Sequence, residues 1–191
     1  MSLLAQAFYT IAPVTMGGIL HMVIVSQGLL PGLAIPIDGQ RTWRGHRIFG
    51  DHKTWRGLLV ILGATLLFTL AQAALEWLLP SLRSWNLVDL QAVGPARVGL
   101  IWGLGYAIPE LPNSFVKRQL EISEGQATSG IKGILQILMD QADSAIGCGL
   151  VAWWFLAMPA SQSVTLILLC TGMHLALNFI MGLTGLRKRK I

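Results

Sequence analysis

The sequence predicts an all-α, polytopic membrane protein: one domain over residues 1–191 with about five transmembrane helices. Three observations predict it. Of the 191 residues, 53% are hydrophobic and only 12% charged, about half the charged fraction typical of a soluble domain, and mean hydropathy is +0.61. The apolar residues fall into long runs, as membrane crossings do. The cationic residues gather in alternate connecting segments, which is the pattern of loops sorted across a bilayer.

A crossing helix needs roughly 20 mainly apolar residues. The first candidate runs from about Tyr9 to Leu30, the second from Gly57 to Leu79, where Pro80 ends it. The third runs from Val93 to Ile108 and carries Gly94, Gly99, Gly103 and Gly105; the Gly99/Gly103 spacing suits close helix packing. The fourth is Ile131 to Phe155 and the fifth Ser163 to Leu183. Cys148 and Cys170 fall inside apolar runs and are expected to be buried packing residues. The N-terminus has no basic region, so no cleaved signal peptide is expected.

Twelve of the 14 Lys/Arg residues lie in the polar segments 31–56 and 111–132 and in the tail. The positive-inside tendency makes those segments cytoplasmic. Five crossings then put the N-terminus outside and the C-terminus inside. No internal repeat is visible, which argues against transporters built from paired halves.

Polar residues inside or beside these apolar runs are the candidates for chemistry. Asp140 and Asp143 interrupt the fourth run. Three residues apart, they share a helix face, and an aspartate at a helix centre costs about 2.5–3.5 kcal/mol to insert. Asp140 lies about 13 Å along a helix beginning near Ile131, below the cytoplasmic interface. Two hard carboxylates at that depth suit Mg²⁺ with bound phosphates; ion pairs with Lys or Arg from neighbouring elements are the plainer alternative. Ser114, Lys117 and Arg118 share a face after Pro112, where a helix can open with Asn113 or Ser114 holding its first turn. His174 and Asn178 are four apart in the fifth run, a spacing that also serves simple helix bridging. The segment 39–57, GQRTWRGHRIFGDHKTWRG, holds five Lys/Arg, two histidines and interleaved glycines. Its glycines allow sharp turns near a ligand and its cations suit phosphate. It lacks the Walker A pattern. Contact with anionic lipid is the simpler alternative.

Four blocks, DGQRTWRGHRIFGDHKTWRG (38–57), NSFVKRQL (113–120), LMDQADS (138–144) and HLALNFIMGL (174–183), together resemble the CDP-archaeol synthase family. That family belongs to the wider group of membrane-bound, CTP-dependent phosphatidate cytidylyltransferases. The resemblance implies five crossings, Mg²⁺ dependence, CTP as co-substrate and a CDP-activated lipid product. It implies catalytic roles for Lys53, Lys117, Arg118, Asp140 and Asp143, with the two aspartates holding the metal. It implies binding roles for Lys53, Thr54, Arg56, Gly57, Asn113, Ser114, His174 and Asn178. Ser144 departs from the bulkier apolar residue of the family pattern. The partners expected are CTP, a lipid phosphate and membrane lipid, with no nucleic acid. The expected place is the cell membrane, multi-pass, with the site facing the cytoplasm. Two other readings use the same residues. A small anion transporter would use the cation cluster. A CDP-alcohol phosphotransferase would need a second DxxxD motif, which the sequence lacks.

Overall fold

The computed structural model describes residues 2–122 and 130–183, with the side chains at 131, 132, 134, 177, 178 and 181–183 outside that description. The chain forms α1 (Leu3–Ser26), a two-stranded hairpin of β1 (Thr42–Trp43) and β2 (His46–Arg47), then α2 (Trp55–Leu78), α3 (Leu90–Val93), α4 (Pro95–Ala107), α5 (Glu110–Gln119), α6 (Gly130–Phe155) and α7 (Ala160–Leu183). Short 3₁₀ turns at Pro31–Leu33 and Pro80–Trp85 follow α1 and α2.

Local chemistry sets the helix ends. Ser2 Oγ accepts from Ala5 N at 3.3 Å, so α1 starts six residues before the expected Tyr9. Thr54 Oγ1 accepts from Gly57 N at 3.2 Å and caps α2, satisfying a donor the first turn leaves open. Pro95 opens α4, where a missing N–H costs nothing. The expectation for Pro112 differs from the structure: α5 already begins at Glu110, behind Pro109, and Pro112 sits inside the first turn.

The core gathers Ile11 and Val14 of α1, Trp102 of α4, Ala145 and Cys148 of α6, and Leu166 of α7. Cys148 and Cys170 are buried and free, as expected. α4 presses on α2 through its small residues. A Cβ on Gly99 would lie 2.9 Å from Leu66 Cα, and one on Gly103 would lie 3.1 Å from Leu62 Cα. The GxxxG spacing is therefore a packing device.

Many large apolar side chains face outward, while several polar ones lie within. Leu67, Leu168 and Trp154 are 59%, 69% and 73% exposed, while Thr10, Thr65, Thr69, Gln72 and Glu76 are buried. A soluble surface does not carry apolar area of this extent. In lipid the arrangement is favourable, since polar groups must find partners inside the protein. Among the described residues, α1 and α2 are long and apolar enough to cross a bilayer, and α7 has a shorter apolar stretch, Ala160–Ala176. The expected third crossing is a 13-residue helix, α4, about 20 Å long. The expected fourth, α6, carries the two aspartates.

Candidate active site

The segment joining α1 to α2 folds around one carboxylate. The Asp38 side chain is fully buried. It accepts backbone N–H groups from Gln40 at 2.9 Å, Phe49 at 3.0 Å and Gly50 at 3.2 Å, and the Arg47 guanidinium at 2.9 Å. Burial pushes this carboxyl upward. The Arg47 hydrogen bond and the three backbone donors together outweigh burial and hold it down to about 2. Arg47 also donates to Asp51 at 2.7 Å. The hairpin turns at Arg44 and Gly45, both at positive φ (51° and 85°), as a two-residue primed turn requires. This frame carries the chain through His52 to Lys53 at the mouth of the bundle.

Three elements meet there. Lys53 donates to Glu110, the first residue of α5. The other Glu110 oxygen accepts the Ser144 hydroxyl of α6 at 3.0 Å. Ser144 N donates to Asp143 Oδ1 at 2.7 Å. One turn further along α5, Asn113 Nδ2 donates to Asp140 Oδ1 at 2.8 Å and to Asp143 Oδ2 at 2.9 Å. Lys117 pairs with Asp140. The helical spacing of 110, 113, 114 and 117 puts this polar row on one face of α5, and the 140/143 spacing puts both acids opposite it.

Lys53, Ser114, Lys117, Arg118, Asp140 and Asp143 all line one cleft of about 260 Å³, together with Asn113 and Glu110. Seven of the residues singled out in the sequence therefore converge. Thr54 and Gly57 line a neighbouring cavity of about 90 Å³ that shares Lys53 and Glu110 with the cleft. Gly57 admits the imidazole of His21, which would lie 3.2 Å from a Cβ there. Arg56 turns away and donates to Leu29 O at 3.0 Å. His174 does not line the cleft. Its Nδ1 lies 3.2 Å from Gln141 O, and its ring meets Tyr106 edge-on at 5.9 Å. The Asn178 side chain, Lys132 and the basic tail at 187–190 lie outside the described residues.

Glu110 and Asp38 are missing from the sequence-based set. Glu110 had a signal: it is three, four and seven residues before Asn113, Ser114 and Lys117, the spacing of one helical face. Asp38 is an Asp-Gly pair and reads as a turn.

The donor set fits Mg²⁺ in one particular way. Two carboxylates converge on a single amide nitrogen, giving hard oxygens at close quarters. Among the described residues no group of three or more His, Cys, Asp or Glu side chains could hold a metal alone. Two protein carboxylates with water and substrate phosphate completing the shell is the habit of Mg²⁺.

Fold and site together define a helical membrane protein with a cleft lined by paired lysines and carboxylates. The family described as CarS-like, CDP-archaeol synthase, matches residues 1–190, and the chain belongs to that family. It is similar to the CDP-archaeol synthase of Halobacterium salinarum, 30% identical over 159 residues, covering 83% of this chain and 84% of that one. The Pyrococcus horikoshii CDP-archaeol synthase is 26% identical over 190 residues, covering 98% and 97%. That of Pyrococcus furiosus is 35% identical over 107 residues, a match spanning 56% of this chain and 58% of that protein. A solved intramembrane enzyme of archaeal membrane-lipid biosynthesis shares the fold, with a TM-score of 0.64 at 22% identity over 91% of this chain and 92% of that one.

Proposed function

We propose that the chain is a CTP-dependent cytidylyltransferase that moves CMP from CTP onto a lipid phosphate, giving a CDP-activated lipid and pyrophosphate. Family membership over the whole chain supports the reaction class. The single observation that carries the site assignment is that Lys53, Lys117, Arg118 and the two aspartates line one cleft. An oxygen of the lipid phosphomonoester attacks the α-phosphorus of CTP. The new P–O bond forms as the α–β bridging P–O bond breaks, and pyrophosphate leaves with that electron pair. The nucleophile is already ionised near neutral pH, so the chain need not supply a strong base.

The chain's task is to hold two anions together. Lys117 and Arg118, on successive positions of α5, face the cleft and bracket phosphate oxygens. Lys53 reaches in from the segment before α2. Asp140 and Asp143 would hold Mg²⁺, which when bound offsets phosphate charge during transfer. Asn113 keeps the two carboxylates facing one another. Ser114 lies on the same wall and offers a hydroxyl to the ligand. Thr54 and Gly57 set the first turn of α2 and so aim Lys53. His174 steadies α7 against α6.

We read residues 1–191 as one membrane domain with five crossings, N-terminus outside, and the cleft and tail facing the cytoplasm, where CTP is. The charge sorting of the loops supports that orientation. Purified protein incubated with labelled CTP, Mg²⁺ and a panel of lipid phosphates tests the reading. Pyrophosphate release that requires a lipid phosphate is the expected result. No release with any lipid phosphate, together with phosphate flux in liposomes, would replace it with the transporter reading.

A further inference from the structure

No residue of the hairpin β1–β2 lines the cleft. The base of the hairpin is fixed by Asp38 and by Gln119 Nε2, which donates to Arg47 O at 3.4 Å. Arg44 stands at its turn, Trp43 beside it in β1 and Arg41 at its open end just before β1, all three exposed, with Trp43 at 56%. Lys53 is paired with Glu110, Arg47 with Asp38 and Asp51, and Arg56 is bound to Leu29 O. Among the described residues, the side chains of Arg41 and Arg44 hold no hydrogen bond or ion pair. Two uncompensated guanidinium groups therefore flank an exposed indole. The approach to the hairpin is also unusual. Leu29, Leu30, Leu33 and Ile35 form an exposed apolar ridge directly after the membrane helix α1. Arg56, in the first turn of α2, ties Leu29 to the bundle end.

We infer that the ridge and hairpin form an interfacial foot. Leu29, Leu30, Leu33 and Ile35 enter the acyl boundary, Trp43 rests at the headgroup level, and Arg41 and Arg44 bind anionic lipid phosphates of the same leaflet. Indole and guanidinium side chains are suited to that depth, since each has an apolar body and a polar end. The occupant is a lipid headgroup, because the cations follow, in one connecting segment, exposed apolar side chains that continue directly from a membrane-length helix. The foot is covalently continuous with Lys53 through Asp38 and Phe49. It therefore gathers phosphate-bearing lipids beside the cleft, a consequence that rests on the proposed reaction; the docking itself does not.

The test uses the full chain in phosphatidylcholine vesicles with and without phosphatidylglycerol. A Thr42→Cys substitution, in a version lacking Cys148 and Cys170, carries an environment-sensitive fluorophore. The expected result is a blue shift, and quenching from the lipid phase, that strengthen with phosphatidylglycerol. Each of Arg41→Gln and Arg44→Gln weakens that response about fivefold, and added salt does the same. In turnover assays the double variant raises the KM for a bilayer-embedded lipid phosphate. It leaves the KM for CTP and for a water-soluble short-chain phosphate unchanged. A fluorophore that stays water-exposed in both vesicles overturns the proposal whether or not the chain turns over CTP. A rise in the CTP KM instead would assign the hairpin to the nucleotide.

Discussion

The two aspartates, equivalent in the sequence, are held differently, and this predicts different costs for the same substitution. Asp140 is paired with Lys117, whose side chain is only 18% exposed. Asp143 is buried and accepts from neutral donors, Asn113 Nδ2 and Ser144 N. Asp140→Asn strands an ammonium in a partly buried position. A fully buried pair broken on one side costs about 3–5 kcal/mol; partial exposure of both groups here brings that to about 2 kcal/mol. At roughly 2–4 °C per kcal/mol for a chain of this size, melting falls by about 4–8 °C. Asp143→Asn removes a buried charge that no cation neutralises directly and keeps one acceptor oxygen. Its desolvation gain offsets one weakened hydrogen bond, so melting stays within about 2 °C of the parent. Both variants lose turnover by about 10²-fold or more, and both lose the Mg²⁺-dependent rise in melting temperature that native-state binding produces. The assay is thermal unfolding in detergent with and without Mg²⁺, paired with pyrophosphate release. Equal destabilisation by the two substitutions would refute the assigned ion pairing. Retained turnover together with a retained Mg²⁺ shift in either variant would remove that aspartate from the site.

Lys53 and Glu110 should behave as one unit in a double-mutant cycle: Glu110→Gln lowers kcat/KM for CTP in the parent and costs nothing further on top of Lys53→Ala, whereas additive losses would separate them. For orientation, in a version lacking Cys148 and Cys170, cysteines placed at Arg83 or Ser161 should react with an impermeant thiol reagent on intact cells, and one at Thr42 should not; labelling at Thr42 inverts the assignment. The Asp38 carboxyl is depressed to about 2 in the folded chain, below its unfolded value. Its contribution is therefore complete above about pH 4 and lost as pH falls towards 2. Asp38→Asn should flatten the stability of the loop across that window, measured by protease cleavage between α1 and α2, and an unchanged acid profile would dissociate Asp38 from loop order.

The helices were legible because lipid demands long apolar runs, and the runs are visible without any neighbour in view. Their ends were less legible. The start of α1 depends on Ser2 turning its hydroxyl back to Ala5, and α5 starts behind Pro109 rather than at Pro112. Hydropathy carries no trace of either. The acids and cations of the cleft were legible as anomalies: charge in an apolar helix, or cations at one-face spacing. Glu110 was not anomalous, since an acid in a polar connecting segment looks like a solvated one. Asp38 was hidden for the same reason. His174 stood out as a polar residue in a span, yet it meets Tyr106 and a backbone carbonyl outside the cleft.

The position of Glu110 shows why an enzyme that joins two anions keeps acids among its cations. Unpaired lysines at the end of an apolar bundle would be costly, because an unpaired charge out of water is strongly disfavoured. Here each lysine is neutralised by a carboxylate from another element, Lys53 by Glu110 of α5 and Lys117 by Asp140 of α6. These pairs also tie the loop to α5 and α5 to α6, and Ser144 closes the circuit by donating to Glu110 from the α6 side. The same bonds that make the empty cleft stable thus set the distance between its walls. On the proposed reaction, an incoming phosphate would offer each ammonium a second anion. Glu110 is the point at which the loop, α5 and α6 meet. Its loss should therefore loosen Lys53 in particular, leaving the helical bundle, whose core of Ile11, Trp102, Cys148 and Leu166 lies elsewhere, intact.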